Sequence, residues 1–160
     1  MKKVTKGKMW VFAIGQLGWS ILGGIITSWL VYFYQPDQET IALGHKLYVS
    51  QGAVIFGVIT IVGLVTMIAR IFDAFTDPLI ASLSDRSKHK LGRRIPFLRY
   101  AAFPFAFVTV LIFFAPTGEV SLINNLWFAL TLILFYLFMT LYCTPYNALI
   151  AELGKTQNDK

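Results

Sequence analysis

From Met9 to Tyr34 the chain carries no charged side chain. This stretch constrains the fold more than any other feature. A helix needs about 20 apolar residues to cross a hydrocarbon core of about 30 Å, and this one is long enough. Three further apolar segments follow, at about 52–83, 96–115 and 123–151. No water is present in the core of a bilayer to satisfy backbone N–H and C=O groups, so each segment must form a helix. Pro104 and Pro145 lie inside the third and fourth segments, where membrane helices tolerate proline and bend at it. The expected fold is an all-α membrane protein with four transmembrane helices in residues 1–160. Composition agrees: 56% of residues are hydrophobic and 14% charged, against about 45–50% and about 25% in soluble domains.

The same inventory excludes several classes of function. Cys143 is the single cysteine, and His45 and His89 lie far apart in polar segments, so neither a disulfide framework nor a zinc-ligand spacing exists. Without a metal cluster or a nucleophile–base pair the chain does not read as an enzyme, and no cofactor is expected. The net charge of +6 is a matter of topology rather than of nucleic-acid binding. Lys2, Lys3, Lys6 and Lys8 precede the first helix, and Arg86, Lys88, Lys90, Arg93, Arg94 and Arg99 follow the second. The other two connections carry only Lys46 between them. By the positive-inside rule this alternation places both termini in the cytoplasm, in a cell (inner) membrane. The N-terminus is not a signal peptide, because its apolar run exceeds 7–15 residues and no small-residue cleavage site closes it.

Within the second segment, "RIFDAFTDP" puts Arg70, Asp73 and Asp77 below the headgroups. Charges at that depth cost a few kcal/mol each on insertion scales, and they mark ion or substrate paths. Asp73 and Asp77 are spaced i, i+4 and so share one helix face, with Arg70 close by. Two carboxylates one turn apart repel, and a bound cation, a proton or the Arg70 guanidinium relieves that repulsion. A coupling-ion site meets the requirement. A structural ion pair with Arg70 explains one acid and leaves the other over. Gly15, Gly18, Gly23 and Gly24 in the first helix, with Gly57 and Gly63 in the second, allow helices to approach closely.

The stretch "ARIFDAFTDPLIASLSDRSKHKLGRRIPFL" resembles the glycoside–pentoside–hexuronide:cation symporters of the major facilitator superfamily. The combination of R-x-x-D-x-x-x-D-P with the following D-R and G-R-R carries the resemblance, and "TPYNALIAEL" extends it through the fourth helix. The resemblance implies that Asp73 and Asp77 bind the coupling Na⁺, Li⁺ or H⁺, with Thr76 and Thr140 beside them; Arg70 is the charge partner that the helical spacing supplies. It implies that Asp85, Arg86, Gly92, Arg93 and Arg94 form a cytoplasmic gating loop. The substrate side departs from the best-known member, whose sugar-binding aspartates align with Ser20 and Cys143. Trp19 stands in place of a lysine, and Asn147 in place of an aromatic residue. A sugar or glycoside is the implied substrate class.

Such symporters have twelve helices, with substrate held between two six-helix halves. Four helices correspond to the first third, so the chain is expected to be a truncated or fragmentary member that needs the remaining helices to transport. A small oligomeric channel using its acids as a selectivity ring, or a non-transporting membrane scaffold, are the rival readings.

Overall fold

The computed structural model describes residues 6–55 and 59–158. Helix α1 spans Lys6–Tyr34 and a one-turn helix α2 spans Gln38–Ala42. Strand β1 (Ala53–Ile55) pairs antiparallel with β2 (Ile59–Thr60). Three longer helices follow: α3 (Ile61–Arg86), α4 (Ile95–Ile112) and α5 (Leu122–Asn158).

The second apolar segment is therefore not helical from residue 52 as its composition suggests. Its first part is a short hairpin, and the helix starts at Ile61 and runs on to Arg86. β-branched residues dominate the stretch before the helix, which suits a pleated strand. Thr60 then caps the helix, its hydroxyl accepting from the N–H of Gly63 at 3.2 Å, in the manner that favours threonine at that position. The other helices keep close to their expected places: α4 ends at Ile112 rather than 115, and α5 continues to Asn158 rather than stopping near 151. Gly57 lies outside the described residues.

Among the described residues, α1, α4 and α5 are each long and apolar enough to cross a membrane. Helix α3, 26 residues long, differs in its interior charges, Arg70, Asp73 and Asp77. Whether four helices span therefore depends on how α3 accommodates them.

Helix α5 is the centre of the bundle and packs extensively on α3 and α4. Phe105, Val108 and Ile112 of α4 are buried with Phe128, Leu132 and Phe135 of α5. The Phe105 and Phe135 rings meet at 5.3 Å. Paired positions descend on one helix as they ascend on the other: Trp127 donates to the Leu111 carbonyl and Arg94 to that of Ala148. The two helices are thus antiparallel. Between lipid-facing helices such packing acts through van der Waals contact rather than hydrophobic exclusion.

Aromatic contacts tie helix α1 to α5 near both of its ends, and Ile26 and Leu30 between them are buried in the core. Tyr34, fully buried, stacks near Phe128 and donates to the Ile112 carbonyl at 2.6 Å. At the other end Phe12 stacks on Tyr146, whose hydroxyl donates to the Phe12 carbonyl. Gly15 permits that approach, since a Cβ there would come within 3.0 Å of the Tyr146 ring. Gly18, Gly23 and Gly24 face open space.

Asn124 ties the connections together. It is completely buried, accepts from the Thr117 N–H at 3.0 Å, and donates to the carbonyls of Thr117 and Glu119 at 3.0 and 2.8 Å. A longer contact of 3.4 Å reaches the Tyr48 carbonyl in the preceding connection. Removing one partner from buried hydrogen bonds leaves the others unsatisfied, at about 1–3 kcal/mol each time. Asn124→Ala is therefore expected to cost about 2–4 kcal/mol, read as a lowered melting temperature in detergent. Asn124→Asp, which keeps the acceptor and loses the donors, should recover only part. Nearby, Asp37 caps α2 by accepting from the Thr40 N–H at 2.9 Å. The Thr40 side chain and N–H together hold this exposed carboxyl below its ordinary range, so the cap is complete above that range and is lost as pH falls through the lowered value.

Candidate cation and substrate site

The three charges of "RIFDAFTDP" fall on the face of α3 that meets α5. The Thr140 hydroxyl donates to Asp73 Oδ1 at 2.5 Å, and the Thr144 hydroxyl donates to Asp77 Oδ1 at 3.0 Å. Both contacts join residues 67 apart, so α3 and α5 run parallel here. A third rung lies one turn earlier, where the Arg70 guanidinium sits 4.5 Å over the Tyr136 ring, a favourable place for a cation. Arg70 also approaches Asp73 at 4.0 Å. Asp73 thus has a hydroxyl donor and a cation beside it, while the hydrogen-bond partner of Asp77 is Thr144.

The contact at 2.5 Å has the length of a charge-assisted O–H···O⁻ bond. An ionised carboxylate only accepts. With Oδ1 of each acid taken by a hydroxyl, Asp73 turns its other oxygen to Arg70, and Asp77 Oδ1 is the oxygen that meets Thr144. The two Asp–Thr rungs line a cavity of about 510 Å³ together with Trp19 of α1 and Cys143 and Asn147 of α5. A smaller cavity of about 260 Å³, lined by Ser20, Thr27, Arg70 and Tyr136, shares Trp19 and Met139 with it. Of the four substrate-side positions expected from the sequence, Trp19, Cys143 and Asn147 line the cavity that holds the acids, and Ser20 lines the smaller one with Arg70.

Thr76 is placed differently. It is buried and its hydroxyl donates to the Asp73 carbonyl at 3.1 Å; it does not appear in the lining of either cavity. Thr144 is the site residue that sequence reading missed. The signal was available: Thr140 and Thr144 repeat the i, i+4 spacing of Asp73 and Asp77, so parallel helices must align both pairs once one is aligned. Pro78 follows Asp77 and Pro145 follows Thr144. Proline has no N–H, so each helix lacks one backbone bond at the level of this rung.

The basic loop after α3 closes the other end of the same helices. Arg94 Nη2 donates to Asp85 Oδ1 at 2.8 Å, and its Nη1 donates to the Ala148 carbonyl of α5 at 2.5 Å. One guanidinium therefore links the end of α3, the start of α4 and the last part of α5, using the planar fork that distinguishes arginine from lysine. Gly92 has φ of +102°, in the left-handed region that favours glycine, and this turns the chain so that Arg94 can face back. Arg86 stands in the last turn of α3, where a cation complements the helix dipole. Arg93 is exposed beside Arg94.

Long apolar helices whose two acids, Asp73 half-buried and Asp77 exposed, line one cavity fit a membrane protein with a polar path between its helices. Comparison with known proteins narrows the class. The family described as MFS/sugar transport protein matches residues 11–160, and the chain belongs to that family as a multi-pass integral membrane protein. The putative glycoside/cation symporter YagG of Escherichia coli is 38% identical over 90 residues, covering 56% of this chain and 19% of that protein. The putative sulfoquinovose importer of Salmonella typhimurium is 27% identical over 160 residues, or 99% of this chain and 30% of its own length. The sodium-dependent lysophosphatidylcholine symporter 1 of Xenopus tropicalis is 32% identical over 92 residues, 57% of this chain and 17% of its own. The chain spans less than a third of the length of the curated relatives it matches. No solved structure matches it.

Proposed function

We propose that the chain supplies the cation site and the first gate of a cation-coupled sugar or glycoside symporter. The observation that carries this reading is the pair of Asp–Thr rungs facing one cavity. Carboxylate and hydroxyl oxygens are hard ligands, of the kind that hold Na⁺ or Li⁺ and equally exchange a proton. The names of relatives support a sugar-type substrate in two cases, a glycoside and sulfoquinovose, and sodium dependence in a third. Substrate sits beside the ion, against Trp19, Ser20, Cys143 and Asn147. The remaining helices of a twelve-helix fold complete the path.

In this reading α3 is a fourth membrane span. Its 26 residues reach about 39 Å at about 1.5 Å per residue, and its charges face α5 and the cavity rather than lipid. Both termini and the Arg94 loop are then cytoplasmic, in the inner membrane. Single cysteines placed at Gly44 and at Lys90, in a Cys143→Ser background, test this with an impermeant maleimide. The cysteine at position 44 should react from outside and that at position 90 only after permeabilisation; the reverse pattern would overturn the topology. Symport itself is read as sugar uptake into vesicles by the longer polypeptide under an imposed Na⁺ or proton gradient. Uptake indifferent to both gradients would overturn it. Ion flux with no dependence on any sugar would support a channel instead.

A further inference from the structure

Four other threonines inside the helices keep their hydroxyls on their own backbone. Thr27 donates to the Gly23 carbonyl at 2.9 Å, Thr76 to that of Asp73 at 3.1 Å, Thr109 to that of Phe105 at 2.8 Å and Thr131 to that of Trp127 at 2.8 Å. This is the usual habit of threonine in a helix. Thr140 and Thr144 depart from it and reach across to α3. Thr140 stands where the family resemblance already places an ion-site hydroxyl; Thr144 is assigned no role by that resemblance.

We infer that Thr144 is a positioning residue of the cation site, holding one oxygen of Asp77 so that the other is presented to the cavity that Asp73 also lines. The inference rests on the symporter reading for the identity of the ligand, an alkali cation. Asp77 is on the exposed surface of α3, and its carboxylate could otherwise rotate about two torsions. The 3.0 Å contact with Thr144 fixes one oxygen and hence the plane of the group. Asp73 is fixed in the same sense by Thr140 and by Arg70. Both acids are met from α5, and Asp73, Asp77, Thr140 and Thr144 line the cavity together with Trp19 and Cys143. Preorganised ligands lose less freedom when the ion arrives, and that gain appears as affinity.

The test is ²²Na⁺ binding to the purified full chain in lipid nanodiscs, comparing Thr144→Val, Thr144→Ser and Thr131→Val with the wild type. Valine keeps the shape of threonine and removes the hydroxyl. Na⁺ affinity should fall about tenfold in Thr144→Val, as expected for one hydrogen bond to a charged group, and return to within about threefold of wild type in Thr144→Ser. Thr131→Val, whose hydroxyl serves its own helix, should bind Na⁺ as the wild type does. A wild-type affinity in Thr144→Val would overturn the inference and leave the cation site standing. A loss in Thr144→Val that serine does not restore would also overturn it, because packing rather than the hydroxyl would then be at work. Absence of Na⁺ binding in the wild type itself would overturn the alkali-cation ligand on which the inference stands.

Discussion

Replacing Asp77 by asparagine is expected to weaken Na⁺ binding by at least about 100-fold. A unit charge about 4 Å from a cation contributes about 4 kcal/mol at an effective dielectric of about 20, which corresponds to about 1000-fold in affinity; partial compensation by the amide oxygen brings the loss nearer to 100-fold. Asp73→Asn should cost a similar amount of affinity and more stability. It leaves Arg70 with Tyr136 alone, since Asp73 is the acid that stands 4.0 Å from the guanidinium. In the longer polypeptide both variants should lose cation-stimulated uptake. Unchanged Na⁺ affinity in both, measured by equilibrium binding, would remove the cation-site assignment.

Arg94→Ala is expected to have the second largest effect, and on a different property. It removes the Asp85 pairing and the bond to the Ala148 carbonyl at once. The Asp85 side chain is 56% exposed, so that pairing contributes little alone. The contact with Ala148 is the one that holds α5 to the loop, and losing a charged donor from a carbonyl costs about 1–3 kcal/mol. The variant should melt earlier in detergent, and the end of the bundle that Arg94 ties should open. Cys143, buried and lining the cavity, reports the opening: its alkylation should accelerate about tenfold or more. Arg94→Lys should behave nearly like alanine, because lysine cannot span both partners with one planar group. Alkylation at the wild-type rate in both variants would remove the gate assignment.

The parts of this structure that were legible in the sequence share a physical origin. Long uncharged runs leave helix as the single way to satisfy the backbone in lipid, and α1, α4 and α5 formed where those runs lie. The i, i+4 spacing placed Asp73 and Asp77 on one face without knowledge of any partner. The hairpin at the start of the second segment was less legible: in lipid-like composition an apolar β-branched stretch and a helix start read alike, and the boundary is set by the Thr60 cap. The role of Thr144 was hidden for another reason. A threonine in an apolar helix ordinarily bonds to its own backbone, as Thr109 and Thr131 do, and only the parallel register of α3 and α5 turns this one outward. Spacing alone did not say which acid Arg70 meets: it lies near Asp73 and over Tyr136, whereas Asp77 is met from the neighbouring helix.

The central claim is that Asp73 and Asp77 form one exchangeable cation site. The most direct measurement is modification of the purified chain in nanodiscs by a hydrophobic carbodiimide, with the labelled residue located by mass spectrometry. Such a reagent attacks protonated carboxyl groups within the membrane. The account predicts that the label falls on Asp73 or Asp77 and that Na⁺ or Li⁺ suppresses it. Labelling of these residues that does not respond to alkali cations would contradict it.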